Sequence, residues 1–345
     1  MSASSSAADF TEWQWVDVKA PLTRDGAVLR CLFSAFPIDA GWTVVSPPLL
    51  ILSAVKSSEF KEKIESIGGL EKITRNFIEE FVNVGGIPNE FRVAIWKRLV
   101  QDGLTGSFDK VGSGDKWGLR YPALAPHGVS ISSEVATLIS NDVKRTHPEQ
   151  NNPTFHDKLS LILTNFAFRN PKIGYCQGLN FVASAALQAG LSQGDAFQAL
   201  VLFAENICAD FYIPSLSGLH EIVEQISSVV KLNYPEVITN LERLQLPFLW
   251  LVAEPLLCVF ARTFPLYAIT RIWDFVLFHG KDGLIAIQAG FIICCREVLE
   301  TESEDPEGPS MAHLQAFQRK AQTLAGSDME KVMLVALKIL EEFRV

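Results

Sequence analysis

Residues 70–88 read LEKITRNFIEEFVNVGGIP, and the order of apolar and turn residues in this stretch decides the fold class. Ile73, Phe77, Ile78, Phe81 and Val82 recur at the spacing of a single helix face, with polar residues between them. Gly85-Gly86-Ile87-Pro88 then stops that helix and opens another, with the proline near the first turn, where its missing N–H breaks no helical bond. The same grammar extends in both directions. Upstream, Phe60 to Ile67 runs into Gly68-Gly69. Downstream, residues 103–118 are rich in Gly, Ser and Asp and read as a loop. Val135, Leu138, Ile139 and Val143 then predict a helix over 133–145, with Ser132 or Ser133 as N-cap and His147-Pro148 as the stop. The next helix is expected to start at Thr154, with Asp157 in capping-box position, and to run to about Phe168 before Asn170-Pro171. Further helices are predicted at 179–190, 194–208, 219–230, 235–244, 248–262, 266–279 and 284–300, and a last one from Asp328 to Phe343. No strand alternation is sustained after residue 55 and no repeat is visible, so the class is all-α.

The flanks differ in character. Residues 1–9 are Ser/Ala-rich and read as disordered; from 10 to 55, Trp13, Trp15 and Trp42 alternate with polar residues and Pro47-Pro48 interrupts any helix, which predicts short extended pieces. TESEDPEGPS at 301–310 is an acidic linker. With 345 residues, 48% of them hydrophobic and 20% charged, the chain can bury a sizeable core and is not of disordered type. A net charge of −9 without a basic stripe argues against nucleic acid as partner. Between 139 and 178 the balance reverses, five cations (Lys144, Arg145, Lys158, Arg169, Lys172) facing three acids (Asp142, Glu149, Asp157), which suits a surface turned toward phosphates. Cysteines at 31, 176, 208, 258, 294 and 295 show no metal-ligand spacing and read as reduced core residues of a cytosolic protein. No signal peptide is read, and the apolar stretches 247–261 and 284–295 are too short or too interrupted for a transmembrane segment.

Two stretches carry chemistry that folding alone does not ask for. Ile139-Ser-Asn-Asp142-Val-Lys-Arg145-Thr146 places an arginine where an apolar helix runs out, free to leave the body of the protein. Asp142, three residues earlier on the same face, can aim its guanidinium. Gly174-Tyr175-Cys176-Gln177-Gly178-Leu179-Asn180 places a glutamine on a tight turn between two glycines. An exposed cation and an exposed neutral amide are the two groups that accelerate hydrolysis of a nucleoside triphosphate held by another protein: the cation balances charge on the transferring phosphoryl, and the amide orients the attacking water. Joint action is geometrically allowed. A helix over 154–168 is about 22 Å long, and residues 170–177 span up to about 28 Å, enough to run back along it. Cys176 with His156 or His147 as base would instead make a cysteine hydrolase, but no oxyanion motif or third orienting group accompanies it.

Four stretches in order resemble the TBC domain, a helical module that activates Rab-type small GTPases. Gly86-Ile87-Pro88 with Arg92 and Trp96 is similar to its opening motif, and Ile139-x-x-Asp142-x-x-Arg145-Thr146-x-Pro148 to its arginine-finger motif. Tyr175-x-Gln177-Gly178 with Asn180 is similar to its glutamine-finger motif, and Arg271-x-Trp273-Asp274 with Gly280 to its second lobe. The resemblance covers roughly 80–300 and implies a two-lobed multi-helix domain over 76–300, an N-terminal extension over 1–75, and a linker with C-terminal helices over 301–345. It further implies that Arg145 and Gln177 act in trans on a GTP-bound Rab, which itself holds the GTP and Mg²⁺, so the chain needs no cofactor or metal of its own. Ile139, Asp142, Thr146, Tyr175, Gly178 and Asn180 would support the two fingers. Arg92 and Trp96 would fix contacts within the first lobe, and Asp274 would cap or pair within the second. A cytoplasmic protein of vesicle trafficking, recruited to endomembranes through its partners, is the implied setting. The alternative is a non-catalytic helical module that binds or tethers Rab proteins through the same groove.

Overall fold

The computed structural model describes residues 49–106, 108, 131–146, 152–302 and 309–343, and among these every regular element is helical. The expected disorder over 1–9, the extended pieces up to residue 48, most of the 103–118 loop, His147-Pro148 and most of the acidic linker lie outside the described residues. Helices α1 (Leu49–Ile67), α2 (Arg75–Asn83) and α3 (Asn89–Thr105) open the fold. Helix thus begins directly after Pro48, upstream of where the helical pattern takes over in the sequence. Phe60 of α1 is fully buried among Phe77, Phe81 and Phe91, with ring centroids 4.4–5.4 Å apart, and ties α1 to α2 and α3.

The first lobe continues with α4 (Ser133–Arg145), α5 (Pro153–Arg169), α6 (Leu179–Gln188) and α7 (Gln193–Leu202), each packed on its sequence neighbours, with α5 also against α7. Ser132 caps α4 as expected, accepting from Val135 N–H (3.3 Å). The start of α5 is a correction to the sequence reading. Asn152, not Thr154, is the N-cap, accepting from Phe155 N–H (3.3 Å), and Pro153 takes the first turn. An asparagine followed by proline outcompetes a threonine inside the helix, because its side chain reaches the amides that the first turn leaves unpaired.

The second lobe comprises α8 (Ser217–Asn233), α9 (Pro235–Arg243), α10 (Phe248–Leu257), α11 (Leu266–Cys295), α12 (Met311–Ser327) and α13 (Met329–Phe343). Helix α11 is buried along nearly its whole length, packing most extensively against α13 and α8, and is broken at Gly280 (φ 65, ψ −140), where the sequence pattern already changes helix. Helix α10 ends at Leu257, short of the expected 262. Val259 and Phe260 take positive φ (44° and 64°) while fully buried, and Trp273 Nε1–H donates to the Val259 carbonyl (2.9 Å). The apolar run continues past this point, so periodicity alone had no stop to report.

At the centre of the joint between the lobes lies one buried carboxylate. Asp274 on α11 is fully buried and accepts four hydrogen bonds from the stretch that opens α3. Ile87 N–H donates to Oδ2 (2.9 Å), Arg92 Nε and Nη2 donate to Oδ1 and Oδ2 (3.0 and 3.2 Å), and Trp96 Nε1–H donates to Oδ1 (2.7 Å). Gly86 (φ 83) is required by this approach, since a Cβ there would stand 2.7 Å from Arg271 Cδ and 2.9 Å from Asp274 Oδ2. Beside it, Glu330 of α13 accepts from Gly85 N–H (3.2 Å) and from Arg271 Nε and Nη2 (2.7 and 3.2 Å). Arg92 does fix contacts within the first lobe, donating to the Ile87 carbonyl (2.5 Å) and to the Asn89 side chain, but with Trp96 it also reaches across to Asp274, which pairs between the lobes and not within the second as the sequence suggested. The indole rings of Trp96 and Trp273 complete the joint at 5.7 Å.

Candidate functional site

Arg145 is the last residue of α4, and its side chain is 49% exposed. Helix geometry puts Asp142 one turn back on the same face, where its Oδ1 lies 2.5 Å from Arg145 Nη2. Asp142 is buried, so its guanidinium partner sits at the boundary between protein and solvent and not out in bulk water. The other oxygen, Oδ2, accepts from the Tyr175 hydroxyl at 2.6 Å. Burial, followed by the Asp142 charge, raises the Tyr175 phenol well above its ordinary pKa, which keeps it a neutral donor.

The turn carrying Gln177 is bound to the same helix end by a second line of bonds. Thr146, fully buried as C-cap of α4, donates its hydroxyl to the Asp142 carbonyl (2.6 Å) and accepts from Asn180 Nδ2 (2.7 Å). Asn180 Oδ1 then accepts from Gly178 N–H (3.0 Å), the residue following Gln177. Gly178 (φ 116, ψ −40) precedes α6 in a conformation that side chains rarely adopt. Tyr175 on one side and Gly178 on the other thus peg Gln177 between two anchors on α4. Its own side chain is half-buried, and no described group bonds its amide. Ile139, one turn before Asp142, is buried and seats α4 on the core. The structure brings together all eight residues expected here: Arg145, Gln177, Asp142, Tyr175, Gly178, Asn180, Ile139 and Thr146.

Two expectations about the surroundings change. The local excess of positive charge is largely neutralised by residues from elsewhere in the chain: Arg169 pairs with Glu205 (2.9 Å) and Lys172 with Asp210 (2.8 Å), alongside Arg145 with Asp142. A count along the sequence between 139 and 178 could not include acids at 205 and 210. As for Cys176, it is buried, and burial together with the Asp142 charge pushes its thiol up to about 12. No described histidine bonds it, and His147 lies outside the described residues. At pH 8 only about one such thiol in ten thousand is ionised, against roughly a quarter of an ordinary cysteine, so it is a poor nucleophile. Cys176 in the folded protein is accordingly expected to resist iodoacetamide at pH 8 when alkylated sites are mapped by mass spectrometry; rapid modification there would reopen nucleophilic chemistry. Among the described residues no cluster of three His, Cys, Asp or Glu side chains could hold a metal ion, the five described cysteines are free and buried, and no helix is long and apolar enough to cross a membrane.

An all-helical, two-lobed domain with a buried aspartate at its joint, and with an exposed arginine and the turn of a glutamine bonded to one carboxylate, defines a recognisable class. The model of the Rab-GTPase-TBC domain matches residues 89–300, and the chain belongs to that family. Growth hormone-regulated TBC protein 1 of Xenopus laevis is 27% identical over 214 residues, which cover 59% of this chain and 58% of that protein, so the chain matches under two thirds of its relative's length. The fold is shared with the Chlamydomonas flagellar RabGAP TBC domain (TM-score 0.63, 16% identity, 83% of this chain and 92% of that one). It is shared equally with the Ypt/Rab-GAP domain of Gyp1p (TM-score 0.63, 18% identity, 82% and 99%). Helices α12 and α13 follow the matched residues in the chain and pack on α11.

Proposed function

We propose that the protein is a GTPase-activating protein for Rab-type small GTPases, acting in trans through Arg145 and Gln177. One observation carries this: Asp142 binds Arg145 with one oxygen and the Gln177 turn, through Tyr175, with the other. A buried carboxylate that fixes the relative position of an exposed cation and a half-exposed amide has no use in folding that a simpler pair would not serve. In this account the GTPase in its GTP-bound state supplies the nucleotide and Mg²⁺. Arg145 enters the partner's site and its planar fork bonds the oxygens on which negative charge builds. Gln177 orients the attacking water, its carbonyl accepting a hydrogen bond from the water while its N–H₂ donates one. The Arg145 guanidinium and the backbone of the Gln177 turn are held before the partner arrives, so less ordering remains to be done at the moment of reaction. Membership of the Rab-GTPase-TBC family supports the choice of GTPase. The setting proposed with it is cytoplasmic, on endomembranes reached through the partner, in vesicle trafficking. A panel of GTP-loaded Rab proteins, with phosphate release followed in the presence and absence of this chain, tests the proposal: at least one should respond, and a panel with no responder would count against it. The second reading, a non-catalytic Rab-binding or tethering module, would leave the Asp142 bridge without a purpose.

A further inference from the structure

The root of the Gln177 turn is held by a segment that belongs to none of the four motifs. Helix α7 runs directly into a π-turn over Phe203–Ile207, in which Cys208 N–H donates to Phe203 O at 2.7 Å. Such turns insert one residue into the helical winding and concentrate at functional sites. This one buries Phe203, Ala204 and Ile207, with Phe203 against the Trp273 ring at 4.7 Å, and leaves Glu205 only partly covered beside the end of α5. There Glu205 takes a two-pronged ion pair from Arg169, Nε to Oε1 (3.1 Å) and Nη2 to Oε2 (2.9 Å), and Oε1 also accepts from Asn170 Nδ2 (3.2 Å). Asn170 is the residue from which the turn departs. Its carbonyl accepts from Ile173 and Gly174 N–H (3.2 and 2.7 Å), and its side-chain oxygen from Ile173 N–H again (3.2 Å). The chain of bonds therefore runs from Glu205 through Asn170 to Gly174, next to the tyrosine that meets Asp142.

We propose that Glu205, set by the π-turn, is a positioning residue for Gln177: it fixes the root of the turn as Asp142 and Thr146 fix its tip. The inference rests on the GTPase-activating reading for its catalytic consequence, though not for the anchoring itself. An ordinary α-helical continuation would wind residue 205 differently relative to the buried Phe203, so the π-turn and the ion pair form one device. Lys172 with Asp210, both well exposed, adds little by comparison.

The test uses Glu205→Ala and Glu205→Gln in the full chain, with three readouts: amide hydrogen exchange, thermal unfolding, and the kcat and KM of stimulated hydrolysis on the responsive GTP-loaded Rab. In Glu205→Ala, exchange at Ile173 and Gly174 should quicken by about tenfold or more, the scale of one lost charge-assisted bond, while α11 stays protected. Stimulated kcat should fall roughly tenfold to a hundredfold, as for a misplaced reacting group, with KM little changed. Glu205→Gln should lie between, since its carbonyl keeps Arg169 Nε and Asn170 but its amide opposes Nη2. A general loss of protection with a lowered Tm would make Glu205 merely structural, and loosened amides with unchanged kcat would sever the anchor from catalysis; either overturns the proposal. If the wild type stimulated no GTPase, the GTPase-activating reading would fall, and unchanged exchange in Glu205→Ala would separately remove the anchor.

Discussion

Arg145→Ala is expected to abolish nearly all stimulated hydrolysis, a fall of roughly 10³–10⁵ in kcat, equivalent to about 4–7 kcal/mol of barrier. The fold should survive, because half of the side chain faces solvent and it lies at a helix terminus. Arg145→Lys should be nearly as damaging. Lysine restores the charge but not the planar fork, and the bond to Asp142 that aims the guanidinium would be replaced by a more mobile one. Phosphate release from the responsive Rab, measured beside the Tm of each variant, separates lost chemistry from lost structure. Stimulation by Arg145→Lys at the wild-type level would show that the finger is placed on the wrong residue.

The largest effect on stability is expected at Asp274, far from either finger. Asp274→Ala removes the acceptor of four hydrogen bonds and leaves the Arg92 guanidinium, 11% exposed, without its counter-charge. A buried pair broken on one side typically costs about 3–5 kcal/mol. Arg92→Ala should cost much of the same, and the double variant less than the two together, since both act on one network. Urea unfolding followed by circular dichroism reads all three. A loss below about 1 kcal/mol in Asp274→Ala would mean that the lobes are joined mainly by the surrounding Trp96 and Trp273 packing.

Much of this molecule could be read from its sequence, and the parts that could not share a cause. The boundaries of α4 emerge from Val135, Leu138, Ile139 and Val143 with Ser132 before them, because amphipathic periodicity and a cap are local signals. The break at Gly280 is local too, a residue free to take φ 65 between two apolar stretches. The convergence of Ile87, Arg92 and Trp96 on Asp274 is not local. Between 178 and 187 residues separate donor from acceptor, and spacing shows that Arg92 and Trp96 share a helix face without showing what they face. Glu205 and Asp210 escaped for the same reason, since their partners lie on α5 and the loop after it. The π-turn is hidden differently. In a segment apolar on nearly every side, one extra residue per turn leaves no trace in the hydrophobic pattern, so 194–208 reads as one unbroken helix. At the site itself the residue types and their spacing were legible, while the bridge through Asp142, one oxygen to each finger segment, is visible only in three dimensions.

The central claim is catalysis in trans, and a transition-state analogue tests it most directly. Aluminium fluoride with GDP imitates the planar phosphoryl in transfer, a species to which groups that act only in the transition state bind far more tightly than to the ground state. Affinity of this protein for the responsive Rab should therefore be measured in three states: GTP-loaded, GDP-loaded, and GDP with aluminium fluoride. A stable complex is predicted in the last state alone, weakened sharply by Arg145→Ala and by Gln177→Ala. Equal affinity for the GTP-loaded and fluoride-trapped forms, unaffected by either substitution, would contradict catalysis and leave a binding module in its place.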